Sequence, residues 1–126
     1  MIVKAVGGAL AGPFYTSVQV EIEWNPEDPA AVSFTFIQGG DETKWTFARQ
    51  LLIDSLEDGE AGEGAVQLRE AGNWMAMTLV GEDGVGRVHV PLDDVDNLLA
   101  DSLQVIPVQR ESYDWDAIVH DLLKDT

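Results

Sequence analysis

The 126-residue chain has no cysteine, only seven lysine and arginine residues against 23 aspartates and glutamates, and no long apolar run. Each absence removes a class of function. Without a thiol there is no disulfide framework, no thiolate nucleophile and no cysteine-based zinc site, which leaves the compartment open and compatible with cytoplasm. A formal net charge of -16 opposes binding to a phosphate backbone, because proteins hold nucleic acid by neutralising phosphates with lysine and arginine. Nucleic acid is therefore not an expected partner, and the same field repels anionic lipid. A membrane-spanning helix needs about 18 or more consecutive apolar residues, so direct membrane insertion is not expected either. The opening MIVKAVGGALAGPF imitates a signal peptide, with Lys4 ahead of an apolar run and Ala9-Leu10-Ala11 as a mock cleavage site. That run is broken by Gly7 and Gly8 and passes straight into a patterned strand, so no cleaved leader is expected.

What is present reads as one domain, residues 1–126, a size that buries roughly two thirds of its unfolded surface. Val18, Val20 and Ile22 alternate with Gln19, Glu21 and Glu23, a strand with one wet face. Val32, Phe34 and Phe36 repeat this after a turn built on Pro26 and Pro29, with Asn25 and Asp28 as side-chain caps. Gly39-Gly40-Asp41 leads to a short strand with Lys44 and Trp45, giving a three-strand meander. From Thr46 or Phe47 to Leu56 the spacing of Ala48, Leu51, Leu52 and Ser55 predicts a helix capped by Thr43 or Thr46. The acidic, glycine-rich stretch Glu57 to Gly64 predicts a solvated loop. Strands follow at Ala65 to Arg69, Trp74 to Val80 and Val85 to Pro91, joined by hairpins at Gly72-Asn73 and Glu82-Asp83-Gly84. A short helix carries Val95, Leu98, Leu99 and Ser102, with Asp93 and Asp94 in its first turn. A terminal helix carries Trp115, Ile118, Val119, Leu122 and Leu123 behind Asp114. The order of strands, helix, strands and helices is that of an α+β domain with mostly antiparallel sheet.

Chemistry finds little to stand on. His89 sits inside a strand and His120 on the polar side of the last helix, neither with a ligand partner at fixed spacing. Asp93, Asp94 and Asp96 lack the alternating oxygen ligands and glycine of a calcium loop. The serines lack a Gly-x-Ser-x-Gly elbow, and Gly7-Gly8 and Gly12 lack the lysine and helix of a phosphate loop. The expectation is a protein that is not an enzyme, uses no cofactor or metal, and works by binding.

The pattern Trp24-x-x-x-Asp28-Pro29-x-Ala31-Val32, a strand ending in Phe36, Trp45-x-Phe47-Ala48-Arg49-x-Leu51-Leu52 and Gly62-x-Gly64-x-Val66 resembles the SsgA-like sporulation and cell-division proteins of actinobacteria. The chain departs from that pattern at Trp24, where tyrosine is more usual, at Gln50, at Ser55-Leu56 and at Ala65. An actinobacteriophage copy and a divergent bacterial paralogue account equally for such drift. The resemblance implies a non-catalytic regulator that helps place or stabilise the division septum through direct or indirect contact with the FtsZ ring. It also implies a whirly-like fold of two antiparallel sheet-plus-helix halves, assembled as a homo-oligomer, a trimer, and a cytoplasmic protein recruited to the septum.

The motif residues have two readings, structural or partner-binding. In the first, Trp45 and Phe47 bury the start of the first helix against the sheet, and Arg49 pairs with a carboxylate of the Asp28 turn. In the second, an aromatic-plus-arginine set anchors a protein interface. A rival function is an acidic, phage-type inhibitor or nucleic-acid mimic that sequesters a basic host protein. Such a mimic arrays its acids in rows on one face, whereas here they collect in turns and helix starts.

Overall fold

A computed structural model describes residues 1–11, 15–82 and 84–107. Eight strands form one antiparallel sheet with two helices on its inner face. The strands are β1 (Ile2–Leu10), β2 (Thr16–Asn25), β3 (Asp28–Gln38), β4 (Asp41–Ala48), β5 (Glu60–Glu63), β6 (Val66–Ala71), β7 (Trp74–Gly81) and β8 (Gly84–Pro91). Helix α1 (Arg49–Asp58) follows β4 and α2 (Leu92–Val105) follows β8, each starting at the next residue. The sheet order β4-β3-β2-β1-β8-β7-β6-β5 therefore repeats one unit head to tail, four strands and a helix, twice.

The alternation of β2, β3, β6, β7 and β8 places Trp24, Phe34, Leu68, Met75, Met77 and Val90 in the core, under Leu51 and Leu52 of α1 and Val95, Leu98 and Leu99 of α2. Burying a large apolar side chain contributes about 1.5–3 kcal/mol, so one wet face and one dry face follow from the period-two pattern. The result is a half-barrel of antiparallel strands wrapped around two helices. Glycines in the left-handed region serve the predicted turns, with Gly39 at φ 57° and Gly72 at φ 62°.

The N-terminal run, expected only to feed a strand, is itself strand β1 at the centre of the sheet. It pairs with β2 along its whole length, from Ile2 opposite Trp24 to Leu10 opposite Thr16. Against β8 it pairs only at Ala9–His89 and Leu10–Val88, extended by the Ala11 N–H donating to the Arg87 carbonyl at 2.9 Å. This short seam joins the two halves, and α2 packs over both sides of it. Gly8 lies at the seam because a Cβ there meets the His89 carbonyl oxygen at 3.0 Å and Val20 Cγ2 at 3.0 Å. The expected three-strand meander thus becomes a four-strand one.

Two further expectations are corrected. The helix predicted from Thr46 or Phe47 begins at Arg49, because β4 pairs with β3 as far as Ala48, opposite Ala31. Its N-cap residue is Ala48, with no side-chain cap from Thr43 or Thr46. The Glu57–Gly64 loop is also partly strand: β5 pairs with β6 from Glu60–Arg69 to Glu63–Val66. Backbone pairing at an edge requires no apolar side chains, so hydropathy does not announce it. Helix α2 does carry Asp93 and Asp94 in its first turn. The helix expected at Trp115 to Leu123 lies outside the described residues.

Candidate partner-binding surface

The sequence motif occupies neighbouring pieces of the fold: β3, its edge partner β4, α1, and the β5–β6 hairpin that α1 packs against. Its first part is structural. The Asn25 side chain accepts from the Glu27 N–H at 3.0 Å and closes the turn before β3. Trp24 Nε1 donates to the Pro29 carbonyl at 2.9 Å, which satisfies the polar end of a buried indole. Val32 and Phe36 point into the core, and Leu51 and Leu52 meet them from α1. Asp28 is exposed at the end of the turn, and Ala31 faces Ala48 across the β3–β4 ladder.

Arg49 overturns its expectation. It does not stand on the surface beside Asp28; it is 0% exposed in the gap between α1 and α2. Nη1 donates to Ser102 Oγ at 3.1 Å and Nη2 to the Ile106 carbonyl at 2.7 Å. Its guanidinium carbon lies 5.4 Å from the Trp24 ring centroid, within cation–π range. Ser102 in turn donates to the Leu99 carbonyl at 2.7 Å. Arg49 therefore ties the helix of the first half to the helix of the second. The clue was present in the sequence: Arg49, Leu52 and Ile53 share the i, i+3, i+4 stripe that faces the core.

Trp45 and Phe47 are also repositioned. They belong to β4 rather than to the helix start, and both are half-buried, packed against the margin of the core. Phe47 stacks on Phe34 with centroids 5.4 Å apart and planes at 17°. Trp45 is a wall between two depressions. On one side, a groove of about 530 Å³ runs between the β3–β4 and β7–β8 hairpins and is lined by Leu10, Val18, Phe36, Leu79, Val85 and Val88. On the other, a cleft of about 350 Å³ separates β4 from the β5–β6 hairpin and is lined by Phe47, Ala48, Leu51, Glu63, Ala65 and Val66. Gly64 makes that hairpin with φ 58°. Gly62 lies under the Gln67 side chain, whose atoms occupy the space a Cβ would need. The structure thus gathers Trp45, Phe47, Ala48, Leu51 and Val66 around one cleft, and leaves Arg49 to the interior.

Among the described residues no group of three or more histidines, aspartates or glutamates converges as a metal site, and no helix is long and apolar enough to cross a membrane. His89 lies on the outer face of β8, its ring centroid 5.4 Å from that of Tyr15 and 6.3 Å from that of Trp74. His120 lies outside the described residues.

The model of the family described as Streptomyces sporulation and cell division protein, SsgA, matches residues 18–111. The chain belongs to the SsgA family. A sporulation-specific cell division protein SsgB of Frankia casuarinae is 33% identical over 100 residues, 75% of this chain and 69% of the relative. An SsgB of Salinispora tropica is 31% identical over 115 residues, 84% and 80% of the two chains. Among solved structures, an SsgA-like sporulation-specific cell division protein from Thermobifida fusca superposes with a TM-score of 0.77 at 26% identity, covering 95% of this chain and 93% of that one. SsgB of Streptomyces coelicolor, in which mutations correlate to longitudinal cell division during sporulation, shares the fold with a TM-score of 0.75 at 22% identity. It covers 84% of this chain and 88% of that one. The α+β half-barrel described above is thus the SsgA-like fold, and the SsgA-like resemblance of the Trp24–Val66 motifs is borne out.

Proposed function

We propose that this protein is a non-enzymatic regulator of cell division and sporulation that binds a component of the division machinery, FtsZ or an adaptor, and so influences septum placement and ring assembly. The observation that carries the reading is the family match across residues 18–111, shared with relatives named sporulation-specific cell division proteins. Residues 1–126 act as one domain, and the protein works in the cytoplasm at the septum as a homo-oligomer, a trimer.

The partner contact is assigned to the Trp45 wall and its two depressions. Half-buried aromatics flanked by apolar clefts supply the desolvated anchors on which interfaces depend. Charge decides what kind of contact this is. FtsZ-type partners are expected to be acidic, so this protein's net charge of -16 cannot steer the encounter. Binding through apolar and hydrogen-bonding surface persists or strengthens as salt screens the repulsion.

The test is affinity capture from an actinobacterial lysate with mass spectrometry, followed by a binding titration of the recovered partner at low and high salt. Recovery of a division protein whose binding holds or tightens with salt supports the reading. Recovery of a basic nucleic-acid-binding protein, released by salt, replaces it with the acidic mimic. The carboxylates favour the first outcome: among the described residues, Glu21 and Glu23 stand on the outer face of β2, while Asp93, Asp94 and Asp96 lie on α2 across the sheet, so these acids are divided between two faces.

A further inference from the structure

The described cations are few, and each has a definite place. Lys4 pairs with Asp101 at 3.7 Å and Lys44 with Glu23 at 3.4 Å, while Arg49 is buried between the helices. Arg69 and Arg87 are exposed, and neither makes an ion pair among the described residues, although Glu60 stands opposite Arg69 on the edge strand. Both line the same pocket, about 440 Å³ on the outer face of the second half, together with His89 and, at its edge, Glu60. In a chain with 23 acidic side chains and seven basic ones, the gathering of two arginines and a histidine around one pocket with a single carboxylate, Glu60, is the reverse of what a solvated acidic surface produces.

The sheet explains how they meet. Arg69, Ala76 and His89 form one row across β6, β7 and β8, and Gln67, Thr78 and Arg87 form the next. All six point away from the core, since their neighbours Leu68, Met77 and Val88 are buried. Ala76 and Thr78 make a low floor, so the arginines, on flanking strands and one row apart, stand diagonally across it at roughly 12 Å, two strand spacings by one two-residue repeat, and rise as the walls. Gly62 keeps the edge low, because its missing Cβ leaves room for the Gln67 side chain. Beside the pocket, Tyr15 and Trp74 flank His89 and are 65% and 40% exposed, an apolar shelf next to a positive hollow.

From this geometry we propose that the Arg69–Arg87–His89 pocket binds an extended acidic segment of a protein partner, with carboxylates on the two arginines and an apolar side chain on the Tyr15–Trp74 shelf. Guanidinium forks match carboxylates in two-point hydrogen bonds. Alternate residues of an extended chain lie about 6.6–6.8 Å apart on one side, a spacing that lets carboxylates of an acid-x-acid segment reach both walls. A nucleic-acid strand is disfavoured, since it needs a continuous basic track and this pocket offers two arginines. At physiological ionic strength the Debye length is about 8 Å, so distant carboxylates are screened while the contact pairs survive. The site lies on the sheet face opposite α1 and α2, apart from the Trp45 depressions, and does not depend on the division-protein reading.

The experiment is fluorescence anisotropy at 0.15 M salt (about 8 Å screening) with a labelled Glu-Ser-Glu-Trp-Glu-Ser-Glu peptide and, separately, a labelled oligothymidine. Arg69→Gln/Arg87→Gln is compared with wild type and with Lys44→Gln on the other half. The expected result is saturable peptide binding, weakened at least tenfold in the double variant, unchanged in Lys44→Gln, and no binding of oligothymidine. Amide shift changes in the wild-type protein, confined to the outer residues of β6–β8 and Tyr15, report the same site should the double variant fold poorly. No saturable peptide binding, equal binding by the folded double variant, shifts centred on Trp45, or tighter binding of oligothymidine each overturns the proposal.

Discussion

Replacing Arg49 by alanine is the perturbation whose consequence changes most between a surface and an interior reading. An exposed ion pair contributes roughly 0–1 kcal/mol, the loss expected had Arg49 reached for the Asp28 turn. Buried between α1 and α2, it donates to Ser102 Oγ and the Ile106 carbonyl and lies 5.4 Å from the Trp24 ring. Hydrogen bonds to charged groups contribute about 1.5–3 kcal/mol each, and a desolvated cation–π contact about 2 kcal/mol. These sums overlap with the arginine's own desolvation, so the better guide is the loss on breaking a buried charged network, about 3–5 kcal/mol. Against a total stability on the order of 5–15 kcal/mol that leaves a marginal protein. Urea unfolding followed by tryptophan fluorescence reads the loss directly, because Trp24 is at the contact. A double-mutant cycle with Ser102→Ala then isolates the shared hydrogen bond, with a coupling of about 0.5–3 kcal/mol. A loss below about 1 kcal/mol with an unchanged fluorescence spectrum refutes the interior tie.

Trp45→Ala destabilises by about 1–3 kcal/mol, less than the 3–5 kcal/mol of a fully buried aromatic, and weakens capture of the division partner; thermal melts and pull-down check the two effects. Gly8→Val overpacks the β1–β8 seam and costs about 1–3 kcal/mol, measured by denaturant titration, whereas Gly7→Val, with open space around its Cβ, costs less. Multi-angle light scattering gives a trimer mass, and a monomer at high concentration removes the oligomer from the proposal.

The sequence made much of the sheet legible and little of its joints. Strands with one wet and one dry face, such as β2 and β3, declare themselves because burial imposes a period of two. The β1 strand did not, since Gly7-Gly8 breaks the alternation and the run resembles a leader; what demands glycine at position 8 is a close approach to His89 and Val20, a tertiary fact. Strand β5 was hidden for the opposite reason, being a polar edge held by backbone pairing alone. The Arg49 environment required knowing that α2 brings Ser102 and Ile106 beside α1, residues more than 50 positions away. The outer pocket was equally silent, because Arg69, Arg87 and His89 meet only through the β6–β7–β8 register.

The claim that this protein acts on division through a bound partner is tested most directly by time-lapse microscopy of FtsZ-ring position while it is induced in a streptomycete. Wild type is compared with Trp45→Ala at matched protein levels. The account predicts misplaced rings and septa, with filaments or branched cells, ahead of any arrest of transcription or replication, and a weaker effect from the variant. Normal rings and septa at high expression of the wild-type protein contradict it.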